Sequence, residues 1–147
     1  FIGTDSPNQR RLMRYFHDFY STFKLSSKLA ATIGFDIGME QKSKGSSTFN
    51  TWFNSTAIMR YTPTTNTAIA VRGEYFDDRD SVLLSSTSPN GFRTWAFSAN
   101  FDWNITKNFL WRVEARSLIN KDNIFTRQDG TITNNNTIFT TALAINF

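Results

Sequence analysis

The sequence predicts an all-β fold, an antiparallel up-and-down transmembrane β-barrel of the outer-membrane type. Three observations carry that expectation. Side chains alternate between apolar and polar with period two through seven segments of 9–13 residues, the pattern of strands with two unlike faces. Charge is confined to one of those faces. The links between segments alternate strictly between short and long, as hairpins running between two different surfaces do.

The first segment, 14–25, puts Tyr15, His17, Phe19, Ser21, Phe23 and Leu25 opposite Arg14, Phe16, Asp18, Tyr20, Thr22 and Lys24. Residues 29–40 are clearer: Leu29, Ala31, Ile33, Phe35, Ile37 and Met39 share one face, Ala30, Thr32, Gly34, Asp36, Gly38 and Glu40 the other. In 49–61, Phe53, Ala57, Met59 and Tyr61 oppose Asn50, Asn54, Thr56 and Arg60. In 67–76, Ile69, Val71 and Tyr75 oppose Arg72 and Glu74. In 94–103, Trp95, Phe97, Ala99, Phe101 and Trp103 oppose Thr94, Ser98, Asn100 and Asp102. In 109–117, Phe109, Trp111, Val113 and Ala115 oppose Arg112, Glu114 and Arg116. In 137–147, Phe139, Leu143, Ile145 and Phe147 oppose Thr140, Ala142 and Asn146.

The apolar face carries no Asp, Glu, Lys or Arg except Arg93, at the rim before Trp95. The opposite face carries Arg14, Lys24, Arg60, Arg72, Arg112 and Arg116, balanced by Asp18, Asp36, Glu40, Glu74, Asp102 and Glu114. A soluble sandwich or barrel would turn the apolar face into a dry core. It would then have to pack very large aromatic faces together, on strands longer than the usual run of about 5–6 residues. The inverted arrangement puts the apolar face in lipid and the charges in a water-filled lumen. Trp103, Tyr61, Trp95 and Tyr75 fall near strand ends, where interfacial aromatics sit.

Composition excludes the rival classes. The 147 residues contain no cysteine, so there is no disulfide framework or thiolate zinc site. No apolar run approaches the roughly 18 residues of a membrane helix. Aromatics at 16% are too many for a disordered chain. A net charge of +4 without clustering is a poor nucleic-acid footprint, so no nucleic acid is expected as partner. A mean hydropathy of −0.38 beside fifteen Phe is what alternating strands give.

The short links are 25–29, 61–67 and 103–109; the long ones are 41–48, 77–92 and 118–136. Outer-membrane barrels have short periplasmic turns and longer outer loops, which puts the C-terminus on the periplasmic side. Phe1–Thr4 then reads as the end of an eighth, ascending strand and Asp5–Arg10 as an outer loop. Residues 1–147 are expected to form a single barrel domain, the C-terminal strands of a larger barrel. Phe139, Thr141, Leu143, Ile145 and Phe147 alternate up to a terminal Phe. That closing strand looks like the targeting strand that bacterial barrel-assembly machinery recognises.

Three stretches carry a family resemblance: Val71-Arg72-Gly73-Glu74-Tyr75-Phe76-Asp77-Asp78, then Phe109-Leu110-Trp111-Arg112-Val113-Glu114-Ala115-Arg116, then Lys121-Asp122-Asn123-Ile124-Phe125, before the strand that ends at Phe147. In this order they resemble the putative β-barrel porin-2, or OmpL-like, family of Gram-negative outer membranes, over roughly residues 9–147. The resemblance implies a passive or weakly selective diffusion pore, in longer chains, with no catalytic residues to carry over.

The expected lumen-lining charges are Arg60, Arg72, Glu74, Asp102, Arg112, Glu114 and Arg116. Arg72 and Glu74 should reach Arg112, Glu114 and Arg116 across a strand that offers only Ser98 and Asn100 between them. The expected lipid-facing residues are Phe35, Ile37, Val71, Trp95, Phe97, Phe101, Trp111, Val113 and Leu143. One register is expected for the first hairpin: Arg14 with Glu40, Phe16 with Gly38, Asp18 with Asp36 and Tyr20 with Gly34, aromatics lying over bare backbone. Asp77, Asp78 and Asp80 read as solvated loop acids in preference to an oxygen-ligand Ca²⁺ site. His17 and Ser21 lie four residues apart on one strand, about 13 Å, too far for a nucleophile and its base. No enzyme, cofactor or metal is expected. The expected role is passage of small polar solutes or ions through the outer membrane. The alternative is a non-conducting barrel, filled by side chains, serving as a structural or binding subunit of an envelope complex. Expected partners are membrane lipid, the assembly machinery and, in addition, a homo-oligomer or envelope complex.

Overall fold

The computed structural model describes residues 2–4 and 12–147; the expected loop Asp5–Arg10 lies outside the described residues. The strands are β1 Ile2–Thr4, β2 Met13–Lys24, β3 Leu29–Gln41, β4 Phe49–Tyr61, β5 Thr67–Asp78, β6 Phe92–Thr106, β7 Phe109–Asn120, β8 Phe125–Thr126, β9 Ile132–Thr133 and β10 Asn135–Ile145. Eight of them form one antiparallel up-and-down sheet in the order β1-β2-β3-β4-β5-β6-β7-β10. Each neighbour in sequence is a neighbour in space, apart from β8 and β9, which pair only with each other. Among the described residues there is no helix, and the sheet is open, with β1 and β10 at its edges.

In β2 to β7 and in β10 the odd-numbered residues lie on one side and the even-numbered ones on the other, because the register among these strands joins like parity up to Asn104; β1 joins β2 with opposite parity, Ile2 opposite Tyr15. One row runs Tyr20, Gly34, Thr56, Glu74, Ala96, Leu118, Asn136. The next runs Thr22, Thr32, Ile58, Arg72, Ser98, Arg116, Ile138. A slip of one residue in any pair would carry its charges to the apolar side. Among the described residues the one register shift, between Asn104 and Thr106, lies at the end of β6, beyond Asp102.

The β2–β3 register is the expected one at all four positions, including Asp18 opposite Asp36. Tyr20 Cδ2 lies 3.8 Å from where a Cβ on Gly34 would stand. Gly38 differs from expectation. The indole of Trp52, its partner on β4, covers it so closely that a Cβ would collide, and Phe16 stacks on that indole at 5.4 Å.

Only β4 has its expected bounds; β2 and β3 differ by at most one residue at either end, and four strands depart further. The fifth and sixth reach further toward the long links, to Asp78 and from Phe92, and the seventh runs on to Asn120. The last stops at Ile145, although Asn146 N–H still donates to Asn108 O at 2.9 Å. The long link after β7 contains the small β8–β9 hairpin, closed by Arg127 N–H to Thr131 O at 2.8 Å with Gly130 at φ +82°. Gly91 is fixed by geometry: φ is +67° and a Cβ there would strike the Arg79 backbone.

Candidate functional site

The even-numbered face holds most of the strand charges, and most of these are in ion pairs. Asp102 is the centre of one cluster. Arg112 donates Nε to its Oδ1 at 2.6 Å and Nη2 to its Oδ2 at 2.7 Å; Arg60 Nη1 donates to Oδ2 at 3.1 Å and Asn100 Nδ2 to Oδ1 at 2.9 Å. The carboxylate is buried, while both guanidinium side chains stay nearly half exposed. The second cluster spans β5 to β7. Arg116 Nη2 reaches Glu74 Oε2 at 2.8 Å, and Arg72 lies 3.7 Å from Glu74 and 3.6 Å from Glu114. All seven expected lumen-lining residues therefore share one face and fall into two ion-pair clusters. Arg14 and Glu40 make a third pair, at 2.7 Å, near the long-link end.

That same face carries an apolar region which the sequence reading missed. Trp52, Phe76, Phe92, Leu118 and Ile138 line a recess of about 540 Å³ together with Asp36, Asn54, Glu74 and Arg116. Its roof includes Leu84, from the link between β5 and β6, so this link folds over the charged face. The cause is local. Asp78, fully buried, accepts the N–H groups of Val82, Leu83 and Leu84 at 2.7–2.8 Å, and its even position points it to that side. From the next link, Asp122 accepts the Ser88 hydroxyl and Asn90 Nδ2. The Ser88 bond first, opposed by desolvation and helped by the Asn90 bonds, holds the Asp122 carboxyl below the usual carboxylate range.

Asp77 and Asp78 are therefore not solvated loop acids. They end β5, point to opposite faces and are both buried. Asp77 lies on the odd face at its rim, where it accepts Arg79 Nη2 at 2.9 Å, Arg93 Nε at 3.0 Å and the Tyr75 hydroxyl at 3.2 Å. So that face carries one acid beside Arg93, fully compensated. Asp80 takes the Thr51 N–H at 3.3 Å.

The odd-numbered face is apolar and open. Phe35, Val71, Trp95, Phe97 and Leu143 are among its exposed large side chains, with Phe139 and Ile145 on β10. Ile37, Phe101, Trp111 and Val113 lie on it half-buried. Phe147 follows the end of β10 and is fully exposed. Toward the long links its aromatics adjoin across four strands, tilted ring against ring: Phe35, Phe53, Tyr75, Trp95, with Phe97 stacked beside Trp95, at centroid distances of 4.7–6.2 Å. Toward the short links Trp103 meets Trp111 at 6.4 Å, and Tyr61 ends β4 at the same end of the sheet. Trp111 satisfies its N–H on Thr141 Oγ1 at 2.8 Å. His17 stands exposed on this face opposite Ile37, and Ser21 opposite Ile33. The buried hydrophobics, Trp52, Ala68, Ala70 and Ala96, all belong to the charged face. Burial and polarity are thus inverted with respect to a soluble sheet.

Neither the curated proteins nor the solved structures gave a match to this chain. A family model did, over residues 1–147: the one described as putative beta-barrel porin-2, OmpL-like. Long antiparallel hairpins, a charged face and an exposed apolar face are the architecture such a family requires. The chain belongs to the putative beta-barrel porin-2, OmpL-like family.

Proposed function

We propose that the protein is an outer-membrane pore for small polar solutes or ions, with the even-numbered face lining the lumen and the odd-numbered face in lipid. The observation that carries this is the partition of side chains by parity. Two ion-pair clusters lie on one face, while Trp95, Phe97, Val71 and Leu143 are exposed on the other. In hydrocarbon those apolar groups are at home and the backbone is satisfied strand to strand. In water they would form an apolar patch far larger than a soluble monomer shows. Trp95 and Trp103 lie eight positions apart on β6, about 20 Å along the membrane normal at 3.3 Å per residue and a tilt near 40°. That spacing suits two interfacial belts.

In this reading the short links are periplasmic, the C-terminus is periplasmic, and β10 presents Phe139, Leu143 and Ile145 to the assembly machinery. The ion pairs stiffen the wall and set its field. Swelling of liposomes containing the full-length protein tests the pore. Entry of arabinose faster than of a trisaccharide supports a water-filled passage of limited width. A folded protein that admits neither would point to a filled barrel with a structural or binding role.

A further inference from the structure

The six cations and six acids first counted on the charged face balance in number but not in place. Toward the short links the face carries Lys24, Arg60 and Arg112, and one acid, Asp102. The register surrounds them with alanines: Ala30 and Ala70 flank Arg60, and Ala68 and Ala142 flank Asp102 and Arg112. Lys24 joins the row of Arg60 through Ala30. The nearest other acid, Glu114, lies against Arg72 at 3.6 Å. Nearer the long links, Asp18 and Asp36 face each other.

We propose that Arg60 and Arg112, held by Asp102, form a subsite for a small oxyanion near the short-link end of the charged face. The inference rests on the reading that this face lines a water-filled passage. Asp102 is 4% exposed, whereas Arg60 and Arg112 are 46% and 44% exposed. One carboxylate is thus spent against two guanidinium groups, and the surplus charge faces outward. Each guanidinium has five N–H donors. Among the described residues Arg60 Nε and Nη2 and Arg112 Nη1 donate to no protein acceptor. Guanidinium forks match the oxygens of carboxylates and phosphates. Asp102 and Asn100 act as positioning residues, since they fix the planes without competing for those outward donors. Alanine neighbours leave room for the anion and offer it no rival charge.

The test uses the full-length protein with Arg60 and Arg112 both changed to Gln, and its folding is checked by heat-dependent gel mobility. In a planar bilayer under a KCl gradient, the chloride-to-potassium permeability ratio should fall by at least about fivefold, since each of the two unit charges removed weighs about that much at about 4 Å in water. Glu114→Gln should move it the other way. A second readout does not need conduction: inorganic phosphate should show saturable ³¹P line broadening with the wild-type protein in detergent, and not with the double variant. If that variant fails to fold, Arg60→Lys with Arg112→Lys keeps the charge and loses the fork; it should hold the permeability ratio and weaken the broadening. Phosphate broadening in a silent protein would overturn the pore and leave the subsite standing. An unchanged permeability ratio in a conducting double variant, or no broadening in the wild type, would overturn the subsite.

Discussion

Arg116 on β7 and Glu74 on β5 meet at 2.8 Å across the full width of β6. They can do so because the strand between contributes only Ala96 and Ser98 at their rows. Both side chains are partly exposed, so the pair is worth little by itself, about 0.5–1 kcal/mol. A double-mutant cycle with Glu74→Gln and Arg116→Gln, read by urea unfolding in lipid vesicles, should give a coupling of that size. It should shrink as salt rises toward 1 M, where the screening length is about 3 Å. A coupling of zero at low salt would mean the pair does not form.

The two faces make opposite demands on a charge. Val113→Arg or Phe97→Arg should cost about 2–4 kcal/mol of unfolding free energy in bilayers, the cost of a basic residue near the lipid midplane. Glu114→Gln, one position from Val113 on the other face, should cost less than about 1 kcal/mol. Equal tolerance at 113 and 114 would contradict the assignment of faces.

Gly38 is held by the Trp52 indole that lies on it. Gly38→Ala should therefore destabilise by about 1–3 kcal/mol through overpacking, seen as a lower urea midpoint. Adding Trp52→Leu should recover part of the loss, because the smaller side chain opens the site. Gly34→Ala, whose nearest neighbours lie 3.8–3.9 Å away, should be close to neutral.

The long links 77–92 and 118–136 are clipped together by Asp122, whose carboxyl lies below its ordinary value of 3.8 when folded. The clip is therefore complete above about pH 4 and is lost as pH falls through the lower, folded value. Hydrogen exchange at the Asn90 amide, which donates to Asp122, should be pH-independent in protection between pH 5 and 8 and should lose protection well below pH 4. Asp122→Asn should remove much of that protection at every pH.

Much of this was legible because strands write their faces into the sequence directly. Ala31 to Glu40 alternates without exception, and the glycines at 34 and 38 with bulky Phe16 and Tyr20 opposite point to one register. What was missed depends on two-dimensional placement. Trp52 stands in an even series of Asn and Thr, and its fit over Gly38 appears only once β4 is paired. Asp77 and Asp78 look alike in sequence, yet parity sends one to Arg93 and the other to the backbone of a folded link. The β8–β9 hairpin had a signal, Asp129-Gly130, a dipeptide that favours tight turns. Counting charges gave a balanced wall, because a count does not show that Arg60, Arg112 and Lys24 gather at one end.

The chain has no cysteine, so single cysteines can be placed along β6 at 97, 98, 99, 100 and 101 in the full-length protein reconstituted in vesicles. A charged, membrane-impermeant thiol reagent should label 98 and 100 and spare 97, 99 and 101, while lipid-borne nitroxides quench fluorophores at the odd positions alone. Labelling at the odd positions with protection at the even ones, or labelling without alternation, would contradict a wet charged face and a lipid-covered aromatic one.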